Sequence, residues 1–444
     1  MAVWTKADDA AKPVVVSPTP PAGGGALQRW WTVFLLALVS MLAGIDRQSF
    51  AVLLVPIQKD LHVSDTAMGV LTGTAFAVVY SIVALPIARL ADRTNRRNLL
   101  AIAIAIWSLS TGALGFVGTY LGLMLVRTLV AGAESAQLPT TLSLVSDTFP
   151  AEKRGMPISC VTVGTALGYS LGAFLGGFLS DRFGWHVALM AVGFPGLLLA
   201  LLVFLTVAEP ARGGHDDAKD AAAAGSFWTA LKQAAGIRPL WFVAPGTVVL
   251  YAAFSGWLVW VPPFLMRVHH ISATKMGAIF GLVLVGAMIA NPISGFLSDR
   301  LARRGPRWRL YLCAGLMAAA VPWLVASSLV PSLEAAFVML LIYNLVSGGI
   351  TSASQAAYVA VAPAHLRAVV VAVLNSAATL LGSLCGPLLF GIVNDALKPT
   401  YGDQSLRYTL LLVPALLTIT ALMHFLGGLS VGDEGRRPSP ALVR

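Results

Sequence analysis

Long apolar runs separated by short polar segments fill most of the 444 residues. Twelve of these runs are long enough to cross roughly 30 Å of hydrocarbon, a distance that takes about 20 apolar residues of helix. Six begin near Trp31, Thr66, Asn98, Leu121, Gly155 and Trp185, and six near Trp241, Thr274, Trp308, Leu333, Leu366 and Leu406. The pattern predicts an all-α membrane protein whose twelve transmembrane helices form two six-helix bundles, 29–208 and 239–430. Between them, 209–238 mixes Gly213, Gly214, Asp216, Asp217 and Lys219 with a short amphipathic stretch from Phe227 to Gln233. That segment reads as a linker whose helix lies on the membrane surface. Residues 1–28, rich in Pro, Gly and Ala, read as a disordered tail without the layout of a signal peptide. Residues 431–444 read as a second tail.

The second half repeats the first. Ser64, Thr66, Met68, Gly69 and Gly73 return 208 residues later as Ser272, Thr274, Met276, Gly277 and Gly281. Leu90-Ala91-Asp92-Arg93, followed by Arg96-Arg97, is answered by Leu297-Ser298-Asp299-Arg300 and Arg303-Arg304. Pro150-Ala151 and Arg154 are answered by Pro363-Ala364 and Arg367. Two six-helix repeats predict a pseudo-symmetric pair of bundles with a solute site between them near the membrane midplane. Access to that site alternates as one half rocks against the other.

Charge adds orientation to this picture. Only 11% of residues are charged against about 25% in soluble domains, and mean hydropathy is +0.79. Of the 30 Lys and Arg, only Lys59, Arg182, Arg267, Lys275, Lys398 and Arg407 fall in predicted outer loops if the amino terminus is inside; Arg47 and Arg127 lie within spans. Cytoplasmic loops collect the basic excess, so both termini are expected in the cytoplasm. The net charge of +10 is then a matter of topology and membrane-lipid headgroups, with no nucleic acid implied. Short outer loops and the lack of an Asn-x-Ser/Thr sequon fit a bacterial cytoplasmic (inner) membrane. Cys160, Cys313 and Cys385 lie in apolar spans and read as free thiols.

Four ionisable side chains stand inside apolar spans by this reading: Asp46, Arg47, Arg127 and Glu134, all in the first half. A charge at the bilayer centre costs about 2.5–3.5 kcal/mol on insertion scales, so these groups must pair, face water or titrate. With the fourth span entered at Leu121, a 1.5 Å rise puts Arg127 about 9 Å and Glu134 about 20 Å deep, and Asp46 on the first span about 15 Å deep. Arg127 and Glu134, seven residues apart, share a helix face. Asp46 and Glu134 are the candidate protonation site, with Arg47 and Arg127 setting their ionisation. Neighbouring arginines favour the carboxylate, while desolvation and a second carboxylate disfavour it. Arg47 is also the candidate anchor for an anionic headgroup, because guanidinium matches carboxylate or phosphate bidentately. A fixed ion-pair cluster that orders the first bundle is the structural alternative.

The second half carries no equivalent charges. Its candidates for solute contact are Tyr251, Trp257 and Trp260 on the seventh span, Tyr343, Asn344, Ser347 and Thr351 on the tenth, and Asn375 on the eleventh. A charged wall facing a neutral one suits an amphipathic solute. Gly164, Gly168, Gly172 and Gly176 recur every fourth residue of the fifth span, a ridge that packing alone explains.

The segments ARLADRTNRR and GFLSDRLARR resemble the loop signature of the major facilitator superfamily, with Ala88 and Asn95 where the pattern has glycine. AGIDRQSF, RTLVAGAESAQ, WVPPFLMRVHHIS and GDQSLRYTLLL resemble its bacterial spinster-like branch, related to lysosomal lysolipid and sphingosine-1-phosphate transporters. The resemblance implies that the first, fourth, seventh and tenth spans line a central cavity, and that Asp46, Arg47 and Glu134 match the functional charges of that branch. It also implies an inner gate at Asp92, Arg93, Asp299 and Arg300, joined by Asp147 and Arg154. The other basic residues are read as topogenic. Tyr169 stands where antiporters of the superfamily often carry a proline.

No phosphate-cradling Gly-x-x-x-x-Gly-Lys-Ser/Thr loop and no metal-spaced His/Cys cluster occurs. The expectation is therefore a secondary active transporter, not an enzyme, with no cofactor and no metal. It works by alternating access as a monomer, is proton-coupled, and moves an amphipathic anion of lysophospholipid or sphingolipid type. Transport of small organic acids or drugs is the alternative, and a non-transporting membrane sensor a third class.

Overall fold

The computed structural model describes residues 25–210 and 227–434; most of the two tails and the middle of the linker lie outside it. Among the described residues the chain is helical almost throughout, as lipid requires of a spanning chain that must satisfy its own backbone hydrogen bonds. Nine stretches of the described residues are long and apolar enough to cross a membrane. Two of them, Gly155–Thr206 and Val369–Val431, each hold two passes, turning at Gly184 (φ +80°) and Gly402 (φ +55°), where no Cβ opposes a left-handed backbone. The remaining pass, 120–148, is interrupted at Ser135 and Ala136 between the helices Tyr120–Glu134 and Gln137–Thr148. The described residues then make twelve passes, consistent with the hydropathy pattern. The first begins at Ala26, three residues before the expected boundary, and the last runs to Glu434.

The repeat is visible in local chemistry. Ser64 caps the second span by accepting from Ala67 N, and Ser272 caps the eighth by accepting from Lys275 N. The start of the first span and the end of the sixth meet through Gln28 Nε2, which donates to Thr206 O at 2.7 Å. Both therefore lie on the face that carries the linker, called here the linker face; the opposite one is the far face. The linker helix Phe227–Ala235 packs against the seventh and eleventh spans at the linker face.

Small residues set how closely the spans approach. The glycine ridge of the fifth span lies on the backbone of the first: a Cβ at Gly164 would sit 2.3 Å from Ala37 O, and one at Gly168 2.2 Å from Met41 O. Between the bundles the fifth and eighth spans meet reciprocally, Gly177 against Ala273 O and Gly277 against Ala173 O.

Candidate functional site

The four intramembrane charges form two crossed pairs between the first and fourth spans. Arg127 Nη1 donates to Asp46 Oδ2 at 2.8 Å, and Arg47 Nε donates to Glu134 Oε1 at 2.7 Å. Asp46 accepts a further bond from Thr111 Oγ1 on the third span at 2.6 Å. Asp46, Arg127 and Glu134 are buried, whereas the Arg47 side chain is 35% exposed. Aromatic rings surround both guanidiniums: Phe50 and Phe76 lie 4.4 and 4.9 Å from Arg127, and Phe76 and Tyr80 lie 5.2 and 5.3 Å from Arg47. These faces favour a desolvated cation. Glu134 Oε2 has no hydrogen-bond partner.

Arg47, Arg127, Phe76, Tyr80 and Tyr169 line one side of a cavity of about 260 Å³ between the bundles. The second half contributes Ser255, Leu258, Val259, Thr379, Ser383 and Pro387. None of the second-half candidates from sequence lines it. Trp257 and Trp260 are fully buried, Trp257 between Phe280 and Tyr343 at 5.3 Å each, and Trp260 donating to Pro387 O at 2.9 Å. The reason is helical phase. Ser255, Leu258 and Val259 share one face of the seventh span, and the two tryptophans fall on another, where their area is buried in the bundle. Tyr343 and Asn344 are buried beside them, Tyr251 backs onto Gly382, and Asn375 accepts from Tyr358 Oη at 2.6 Å. Ser347 and Thr351 are half-buried and do not line the cavity.

At the linker face Asp92, Arg93, Asp299 and Arg300 are exposed. Asp92 and Arg93 make no ion pair among the described residues, and Asp299 pairs with Arg309 within its own bundle at 3.0 Å. Arg154 donates to Ser146 O and Phe149 O. The hub of this face is Arg96, which the sequence reading left as topogenic. It is buried and joins Asp147, Glu209 at 2.8 Å, Ser143 and Pro210 O. A bare positive-inside tally cannot distinguish such a residue from its half-buried neighbour Arg97.

The far face holds the ion pairs that join the two bundles among the described residues. Asp65, at the start of the second span, is wholly buried and accepts from Arg267 Nη1 at 2.9 Å, Gln58 Nε2 at 2.9 Å and Asn394 Nδ2 at 2.6 Å, with Lys398 Nζ at 3.9 Å. Two more carboxylates cap helices across the interface. Asp395 accepts from Asp65 N and Thr66 N at 3.0 and 2.7 Å, and Asp181 from Ala273 N and Thr274 N at 3.3 and 2.7 Å. Sequence reasoning missed this clamp because Asp65 sits in a polar loop and is buried only by closure of the bundles. It also passed over His424, a buried ionisable residue in the last span that is hydrogen-bonded to Ser354. His269, just past the end of the seventh span, is half-buried against Phe264; burial, with Arg407 adding to it, holds its imidazole below the ordinary range.

The family model for the Major Facilitator Superfamily matches residues 36–387. The chain belongs to the major facilitator superfamily. It is 31% identical to an MFS-type efflux pump of Mycolicibacterium smegmatis over 90% of this chain and 93% of that one. It is 26% identical to the sphingosine-1-phosphate transporter SPNS2 of Danio rerio over 90% and 84%. A crystal structure of a bacterial homologue of the human lysosomal transporter spinster, inward-facing and unoccupied, matches with a TM-score of 0.84 at 26% identity, covering 94% of this chain and all of that one. Within the superfamily this transporter falls in the spinster-like branch. It is an integral membrane protein that handles a small solute, and its family and fold are those of transporters, not enzymes.

Proposed function

We propose that this transporter couples protons to the movement of an amphipathic anion bearing a phosphate or carboxylate headgroup, with Arg47 as the headgroup anchor and Glu134 and Asp46 as the proton sites. One observation carries the reading: Arg47 is the least buried of the four charges, it lines the cavity, and its partner Glu134 is buried with one oxygen unpaired. Neutralising Glu134 frees the guanidinium for a solute anion. Proton and anion then favour each other's binding by equal free energies. A volume of about 260 Å³ suits a headgroup, while an acyl chain would follow the apolar wall of Leu258 and Val259. The basic excess of the linker face supports a cytoplasmic position for it; in a bacterial inner membrane the clamp would then close the outer side. Asp92, Arg93, Asp299 and Arg300, exposed in this state, would close the cytoplasmic side when the clamp opens.

A second reading, extrusion of small drugs or organic acids, is supported by the identity to the mycobacterial efflux pump and by the aromatic lining. Flux into proteoliposomes separates the two. Lysophospholipid and sphingoid phosphates should be carried in a pH-dependent manner that is lost in Glu134→Gln. Carriage of neutral or cationic drugs with anionic lipids inert would replace the first reading with the second, and binding without flux would indicate a sensor.

A further inference from the structure

Above the clamp, at the far face, lies a second cavity of about 460 Å³ that shares no lining residue with the central one. Lys59 and His62 of the first half face Arg267, His270 and Lys398 of the second across it, and Asp403 is the one acid in its lining. His62 (φ +53°) and His270 (φ +51°) are the only non-glycine residues with positive φ among the described residues. They stand 208 residues apart, the offset of the repeat, so both halves place an imidazole at the same left-handed helix end. Glycine would occupy such a position without the steric cost a side chain meets there.

The donors are also underused. Asp65 is saturated by Arg267, Gln58 and Asn394, which leaves Lys398 at 3.9 Å as its most distant partner. Lys59 and His270 have no partner among the described residues, and His62 meets only Asp60 O, through Nδ1. Two neighbouring acids are committed elsewhere, Asp395 to Asp65 N and Thr66 N and Asp60 to Trp185 Nε1, while Asp403 is a lining acid that the five basic residues outnumber. His270 offers at least one N–H donor in any charge state, whereas the single N–H of a neutral His62 is already given to Asp60 O, which leaves Nε2 of His62 as its remaining polar atom.

We propose that this cavity binds a phosphate-class anion, which bridges Lys59 and His62 to His270 and Lys398 and holds the far face closed. Rocking the halves apart separates the donors, so such an anion binds the closed state alone and shifts the population toward it. Its source is either a free anion of the medium or the headgroup of a phosphate monoester.

Thermal unfolding of the full chain in detergent, with inorganic phosphate, glycerol 3-phosphate or chloride at matched ionic strength, tests the site. Phosphate or its monoester should raise Tm by about 2 °C above chloride. Arg47→Ala, which empties the central anchor, should keep the rise; the double variants His62→Gly/His270→Gly and Lys59→Gln/Lys398→Gln should lose it. The glycine pair relieves the left-handed backbone, so its basal Tm should stay within about 2 °C of wild type. A rise with inorganic phosphate assigns the site to a free anion, and one with glycerol 3-phosphate alone to a headgroup. No rise with either, a rise that survives both double variants, or one abolished by Arg47→Ala overturns the proposal.

Discussion

A 2.7 Å contact joins the half-exposed Arg47 to the buried Glu134, and that asymmetry makes the pair usable. Under the proposed coupling, the partly exposed cation takes another anion while the buried carboxylate responds by protonation. Glu134→Gln, which mimics the protonated acid, should therefore bind anionic ligands at neutral pH about tenfold more tightly than wild type, ~1.4 kcal/mol. It should also flatten the pH dependence in a binding titration at pH 5.5 and 7.5. An unchanged pH slope would remove Glu134 from coupling. Arg47→Lys keeps the charge but not the planar fork, so it should weaken phosphate ligands by about tenfold while leaving neutral ligands unaffected. The buried Asp46–Arg127 pair behaves differently. Arg127→Ala strands a carboxylate and should destabilise by about 3–5 kcal/mol, with much of the loss restored in Asp46→Asn/Arg127→Ala. Melting temperatures of the double-mutant cycle check this, and strictly additive effects would contradict it. The four charges could be found from sequence because charge inside an apolar run is rare. Thr111, which completes the Asp46 site, gave no such signal among the neighbouring Ser108 and Ser110.

At the scale of elements, the seventh and fifth spans show what a one-dimensional pattern contains. Gly164, Gly168, Gly172 and Gly176 announced a close approach by their spacing, and the partner proved to be the first span, which carries Asp46 and Arg47. Gly168→Leu, forced against Met41 O, should lower Tm by several degrees and displace the first span; Gly295→Ala, with open space around its Cβ, should change Tm by less than about 1 °C. Equal effects of the two would refute the packing role of the ridge. The seventh span misled the reading in the opposite sense. Its tryptophans invited a solute role, but a helix advances about 100° per residue, and a shift of two positions moved them from the cavity wall into the bundle core.

For the whole molecule, the far-face clamp ties the two bundles together on one side of the central cavity. Asp65 collects bonds from Gln58 on its own bundle and from Arg267 and Asn394 on the other. Asp65→Asn should shift the equilibrium toward far-face opening by about tenfold, seen as a longer distance between spin labels across that face or as faster thiol labelling of Ser255→Cys from that side. Asp65→Asn/Arg267→Ala should add little to the single change, since both remove one contact. A far face that stays closed in the double variant would assign closure to the Asp181 and Asp395 caps instead. What the sequence alone determined was the twelve passes, the duplication, the superfamily and the rarity of Asp46, Arg47, Arg127 and Glu134, because transfer of a residue into lipid is a local property read one position at a time. Only the tertiary structure decided that the charges pair crosswise, that Trp257 and Trp260 turn inward, and that Asp65 and Arg96 are buried hubs. Those outcomes depend on the rotational phase of each helix and on which ends of the bundles meet, and neither is a property of any single segment.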